Sequence, residues 1–317
     1  MTRVITRPEI EAALPRIDLI EAMEQAFIAY SSGKAVIPPV GELLFESPPG
    51  DAHIKYGYLL GDDVFVIKVA TGFYDNPKLD LPSNSGLVLV FSQKTGQPES
   101  VLLDEGELTN LRTAAAGAVA AKHLARSDAR RVAVLGAGVQ ARLQVELLGR
   151  VIQCRDLTLW ARRAEAAANL ARALDQEGWN ISIAESPREA VADADIVVTT
   201  TAAATPLLHF DDIRPGTHIT AMGSDTPDKQ ELHISIIAGA EMVVADSISQ
   251  CLERGEIHHA VAAGMIRPDQ LLELGNIISG QSPGRTRPAQ VTVADLTGVA
   301  VQDIAIAKAV LRTIGDG

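Results

Sequence analysis

The chain has 317 residues, and at roughly 150 residues per domain that implies about two domains. Its 47% hydrophobic and 21% charged residues exclude a mainly disordered protein. Acids outnumber bases 40 to 28, a net charge of −12, so the surface repels phosphate backbones and no nucleic-acid partner is expected; a local basic pocket for a small anion stays open.

Leu19, Ile20, Met23, Phe27 and Tyr30 share one face at helical spacing, which predicts a helix over 17–30 stopped by Ser31-Ser32-Gly33. Breakers at Pro38-Pro39, Gly41, Pro48-Pro49-Gly50 and Gly61-Asp62-Asp63 then separate short apolar or alternating runs such as 53–58. Val- and Leu-rich runs at 64–69 and 86–91 read as strands, with a turn at 94–98. The first hundred or so residues therefore predict a mostly antiparallel sheet with an opening helix.

An alanine-rich helix is expected over 113–124. Beyond Ser127-Asp128, strands at 131–135, 157–160, 181–184, 196–200, 218–222 and 242–245 alternate with helices at 139–148, 164–174 and 187–191. That alternation predicts parallel βαβ units and an α/β fold with a doubly wound sheet. A strand over 291–295 and a long apolar helix over 299–314 close the chain.

Gly136-Ala137-Gly138-Val139-Gln140-Ala141 reads G-x-G-x-x-A between an apolar strand and the helix it opens. Gly136 permits the tight turn, Gly138 lets backbone approach a pyrophosphate, and Ala141 allows close helix–strand packing. The helix N-terminus offers N–H donors and positive dipole to phosphates. The motif alone also marks tight βα turns in other α/β proteins; its strand and helix context points to a dinucleotide. The second strand of this region ends Trp160-Ala161-Arg162-Arg163, with no acid to grip the ribose of NAD. Arginine there suits the 2′-phosphate of NADP, or is a solvated charge at a helix start. Ala161, Arg162 and Thr200, at the ends of the second and fourth strands, complete the candidate cofactor residues with Gly136, Ala137, Gly138, Val139 and Gln140.

Lys68 lies inside the apolar run Phe65-Val66-Ile67-Lys68-Val69-Ala70, where a charge either faces solvent or is paired or working. Arg112 stands before the alanine-rich helix, able to clamp a carboxylate bidentately or to make a helix-start ion pair. Asp225 follows a strand in Gly223-Ser224-Asp225-Thr226-Pro227, at the sheet edge where open α/β sheets bind ligands. It reads as a general acid/base or as an ordinary Asx-turn residue. His209, His218, His233, His258 and His259 have no metal-ligand spacing, and no metal is expected. Cys154 and Cys251 are too few for a disulfide framework or a cysteine zinc site. No apolar run is long enough for a signal peptide or a membrane span, so a soluble cytoplasmic protein with no membrane partner is expected.

Five ordered motifs resemble the ornithine cyclodeaminase/mu-crystallin family over nearly the whole chain: Ile67-Lys68-Val69, Leu111-Arg112-Thr113-Ala114-Ala115-Ala116, the glycine fingerprint, 221–232 and Val291-Thr292-Val293-Ala294-Asp295-Leu296-Thr297-Gly298. The resemblance implies a homodimer. It also implies a mixed α+β substrate/dimerisation domain, 1–115 completed by the C-terminal helix at 295–317, and a Rossmann domain at 116–294, with substrate and NAD(H) or NADP(H) meeting in the cleft. On that likeness Lys68 and Arg112 contact the substrate carboxylate, Asp225 with Lys68 forms the catalytic pair, and Ser83 stands where a substrate-contacting Thr is common. Thr113 would lie near the pyrophosphate, and Met222 and Val293 near the nicotinamide.

Two departures from the family pattern bear on substrate. Pro38-Pro39-Val40-Gly41-Glu42 lacks the Arg commonly found after the proline-rich segment, and Lys55 stands about where cyclodeaminases have a Glu for the distal amine of ornithine. A lysine repels an ammonium and favours a carboxylate. The expected function is an NAD(P)-dependent oxidoreductase of a small imino or amino acid, of the ketimine reductase, iminosuccinate reductase or alanine dehydrogenase kind. The alternatives are ornithine cyclodeaminase, with NAD recycled within each turnover, and a mu-crystallin-like NADPH-dependent ligand-binding protein.

Overall fold

Asp18 caps the helix Leu19–Ser31, its carboxylate accepting from the N–H groups of Ile20 and Glu21 at 3.0 Å each. The computed structural model describes residues 2–73 and 75–315. The chain divides into two units, Met1–Arg112 with Val299–Gly317, and Thr113–Gly298.

The first unit is built on a seven-stranded sheet: β1 (Arg3–Thr6), β2 (Ala35–Val36), β3 (Gly41–Glu46), β4 (Pro49–Leu59), β5 (Val64–Phe73), β6 (Asn84–Ser92) and β7 (Pro98–Leu103). The order is β1-β7-β6-β5-β4-β2, with β3 also on β4; every pair is antiparallel except β1 with β7. β1 and the helix Arg7–Ala13 precede the predicted opening helix. Of the predicted breaker at 48–50, only Pro48 lies in the tight connection from β3 to β4; Pro49 and Gly50 already pair with Glu46 and Phe45 as the start of β4. The C-terminal helix Ala300–Gly315 packs on the helix Leu19–Ser31 and on β4 and β5. Met23, Phe27, Val66, Val88, Val90, Ile304 and Ala307 are buried in this unit. Each large one contributes about 1.5–3 kcal/mol.

The second unit holds eight parallel strands: β8 (Arg131–Leu135), β9 (Asp156–Trp160), β10 (Asn180–Ile183), β11 (Ile196–Thr199), β12 (His218–Ala221), β13 (Met242–Ala245), β14 (Leu272–Glu273) and β15 (Thr292–Asp295). Their order, β10-β9-β8-β11-β12-β15-β13-β14, reverses direction between β8 and β11. Strands buried on both faces need apolar residues at every position. Accordingly Val132, Val134, Ile196 and Val198 pack with the helices Val139–Leu148 and Ala164–Ala173, while Ala133, Leu135, Val197, Ile219 and Val243 fill the opposite face. His218 is one of the enclosed residues; it bonds Thr292 and Thr220, and burial depresses its pKa to about 3. Among the described residues no cluster could hold a metal ion, and no helix is long and apolar enough to cross a membrane.

Candidate functional site

In the first unit, Lys55 of β4 and Lys68 of β5 are directly opposite each other in the ladder, so they share a face. That face is the inner one: Lys55 is 8% exposed and Lys68 2%, with Val64 and Val66 buried alongside Lys68. Two lysines opposed in a buried ladder repel and lose solvation, so this arrangement calls for nearby anions. The C-terminal helix supplies one: Asp303 Oδ1 lies 4.0 Å from Lys68 Nζ and accepts from Arg112 Nε at 3.0 Å. Gln302 Oε1 accepts from Arg112 Nη1 at 2.9 Å. Asp104 is the second carboxyl; burial raises its pKa, and the Lys68 ammonium partly opposes that shift.

The helix carrying Arg112 begins at Glu107, earlier than predicted, because Asp104 Oδ2 accepts from Leu108 N at 2.9 Å. Arg112 is thus within the helix and buried, rather than at its start. Asp303 Oδ2 and Gln302 Nε2 are buried without a hydrogen-bond partner among the described residues. The three cations and the unpartnered Gln302 amide suit an anionic group such as a carboxylate, with Asp303 supplying the balancing negative charge. Ser83 stands apart: its carbonyl accepts from Phe73 N at 2.8 Å, and Phe73 is 73 − 68 = 5 residues, about 16 Å, along β5 from Lys68.

In the second unit, Gly136 follows β8 with φ +129°, and a Cβ there would stand 2.2 Å from Thr200 Oγ1. Gly136→Ala is therefore expected to destabilise the protein by about 1–3 kcal/mol, read as a lowered urea midpoint; an unchanged midpoint would show that the turn relaxes. Gly138 caps the helix Val139–Leu148, and a Cβ there would meet nothing within 4 Å. The space beside it is open, as a backbone approach to phosphate requires.

A cavity of about 420 Å³ opens at this point, at the strand-order reversal, lined by Gly136, Ala137, Gly138, Trp160–Arg163 and Thr200–Ala203 among others. Val139 is exposed at the helix start, and Gln140 follows it. Thr113 O accepts from Gln144 Nε2 at 3.3 Å, and the same amide bonds Met222 Sδ. Gln144 was not singled out by its sequence; Gly117 leaves it room, since a Cβ there would stand 2.1 Å from Gln144 Oε1. Val293 is fully buried in β15, paired with Ile219 and Val243.

Asp225 lies in the loop after β12, its side chain 48% exposed, and its Oδ1 accepts from Lys229 Nζ at 2.6 Å. Arg254 Nη1 reaches the Asp225 carbonyl at 3.4 Å. This is a carboxylate held by a neighbouring cation, on the strand-end edge where a doubly wound sheet binds ligands.

The fold and these two groups of residues define an α/β protein with a Rossmann-type nucleotide unit and a cation-lined first unit. The chain belongs to the ornithine cyclodeaminase/mu-crystallin family, whose model matches residues 1–317. It is 45% identical over 309 residues to the uncharacterized cyclodeaminase y4tK of Sinorhizobium fredii, covering 96% of this chain and 93% of the relative. It is 35% identical over 314 residues to the iminosuccinate reductase of Paracoccus denitrificans, covering 98% and 95%. Among solved structures, the Thermococcus litoralis Δ1-pyrroline-2-carboxylate reductase in complex with NADH and L-proline superposes with a TM-score of 0.92 at 29% identity, over 99% of this chain and 98% of that one. An archaeal alanine dehydrogenase dimer with bound NAD gives 0.90 at 33% identity, over 99% and 96%.

Proposed function

We propose that the protein is an NAD(P)-dependent oxidoreductase that transfers a hydride between a nicotinamide and the α-carbon of a small imino or amino acid. The observation that carries this reading is the buried group of Lys55, Lys68 and Arg112 braced by Asp303. The similar alanine dehydrogenase solved with NAD and pyrroline-2-carboxylate reductase solved with NADH support it.

The residues present fit a dinucleotide. Gly136 and Gly138 leave the cradle open, the helix at Val139 would meet the pyrophosphate, and Ala161, Arg162 and Thr200 line the adjoining cavity. When bound in its reduced form, the nicotinamide supplies the hydride. Lys68 and Arg112 hold the substrate carboxylate and so orient the imine carbon. Asp225 delivers the one proton that accompanies the hydride, and Lys229 holds its carboxylate between turnovers. Lys55 narrows the substrate to one with a neutral or acidic side chain, as in iminosuccinate or a cyclic ketimine. The exposed run Leu43, Leu44 and Phe45 on β3 supports assembly as a homodimer.

The test is oxidation of reduced nicotinamide by purified protein with a panel of 2-oxo acids plus ammonia or methylamine, and with cyclic imino acids. Selective, rapid oxidation with one of them is expected. No oxidation with any member, together with proline formed from ornithine at constant absorbance, would replace this reading with cyclodeamination.

Cofactor choice has its own test. Arg162 and Arg163 line the cavity where an adenosine ribose would lie. Arg162→Ala is expected to shift the NADPH/NADH ratio of kcat/KM toward NADH by about tenfold or more. An unchanged ratio would show that Arg162 is a solvated charge.

A further inference from the structure

Glu231 is wholly buried, and nothing in the proposed chemistry uses it. Its carboxylate nevertheless accepts from four donors. Oε1 takes Thr201 N at 2.6 Å and Thr201 Oγ1 at 2.7 Å; Oε2 takes Thr199 Oγ1 at 2.7 Å and Gly223 N at 2.8 Å. Thr199 ends β11 and Gly223 lies just beyond β12, so one carboxylate ties together the C-terminal ends of two neighbouring parallel strands.

The backbone of Glu231 is fixed as well. Glu256 Oε1 accepts from Glu231 N at 2.8 Å, and Oε2 accepts from Leu232 N at 3.0 Å. The loop 223–231 is thus closed at both ends by the same residue: its first N–H is held by the Glu231 side chain, and its last residue is Glu231. Asp225 lies inside this loop. On the other side of the carboxylate, Thr200–Ala203 line the cavity beside the glycine fingerprint. The fit is close, since a Cβ on Gly223 would stand 2.1 Å from Thr201 O and 2.5 Å from Glu231 Oε2.

We propose that Glu231 is a positioning residue, whose carboxylate locks the Asp225 loop to the segment Thr199-Thr200-Thr201, of which Thr200 and Thr201 line the fingerprint cavity. This rests on the reading of Asp225 as the acid/base. Four converging donors ask for a carboxylate, because a glutamine offers one acceptor oxygen and would turn its amide toward another donor. Burial pushes the Glu231 carboxyl up, and the hydroxyls of Thr201 and Thr199 and the N–H groups of Thr201 and Gly223 pull it back.

The experiment compares Glu231→Gln, Thr199→Val, Asp225→Asn and the double variant Glu231→Gln/Asp225→Asn. Three readouts are needed: thermal unfolding of the unliganded protein, NADH affinity by fluorescence titration, and kcat with NADH and the best substrate of the imine panel. Glu231→Gln is expected to weaken NADH binding about tenfold and lower kcat about 10²-fold, while Asp225→Asn leaves NADH affinity unchanged. In the double variant the loss of kcat is expected to be close to that of Asp225→Asn alone, because Glu231 acts through Asp225.

A purely structural role would instead lower the unfolding temperature with normal NADH affinity, or give additive losses of kcat; either result overturns the proposal. If Glu231→Gln does not fold, Thr199→Val, which removes a single donor, should weaken NADH binding and kcat a few-fold in the same direction, and wild-type values would overturn it. Full kcat in Asp225→Asn would overturn the acid/base reading by itself, and the NADH affinity of Glu231→Gln would still decide whether the lock exists.

Discussion

Asp225→Asn should lower kcat by about 10²- to 10⁴-fold while leaving cofactor affinity within a few-fold of the wild type. Asparagine keeps the size of the side chain and can still accept from Lys229 through its carbonyl, so the loop is expected to hold its shape. What it loses is the ability to take up and release a proton. Imine reduction adds a hydride at carbon and a proton at nitrogen, and the second half then falls to solvent. Because Asp225 is about half exposed, water can partly substitute for it, and the residual rate should rise with added small carboxylic acids. The measurement is kcat over a range of pH for both proteins. The two profiles are expected to differ. Near-full kcat with an unchanged pH profile would remove Asp225 from the chemistry.

Much of the second unit could be read from the chain because its strands are buried on both faces. Runs such as 132–135 and Met242–Ala245 are apolar at successive positions and end at turn residues, so local pattern and tertiary role agree. The first unit was less legible at its start. β1 has four residues and pairs with β7, almost a hundred residues away, so nothing local announces it. The site divides in the same way. Lys68 and Asp225 stand out because a charge interrupts a strand or follows one. Glu231 and Gln144 do not: each is an ordinary polar residue until the fold buries it. Asp303 and Gln302 left a fainter signal, two adjacent polar residues in the largely apolar first half of the C-terminal helix. Burial against Arg112 and Lys68 is the reason they are there.

Lys55→Glu should reverse the side-chain charge preference of the enzyme. For a substrate with a second carboxylate, kcat/KM relative to that for a neutral imino acid should fall by about 10²-fold or more, and a substrate bearing a distal ammonium should gain. The ratio is the quantity to measure, because Glu at position 55 would also face Lys68 and draw on the charge that holds the α-carboxylate. That shared loss raises KM for every substrate and cancels in the comparison. The same pairing keeps the variant foldable: it replaces two opposed lysines with an opposite-charge cross-strand pair, which is the more stable arrangement. The ladder register makes the test sharp. From β4 Gly50 opposite Phe73 through Tyr58 opposite Phe65 the pairing runs without a bulge, so residue 55 cannot turn from the inner face unless the whole strand slips by one residue. A ratio that stays fixed would therefore mean that the substrate side chain lies away from position 55, and that Lys55 serves only the α-carboxylate.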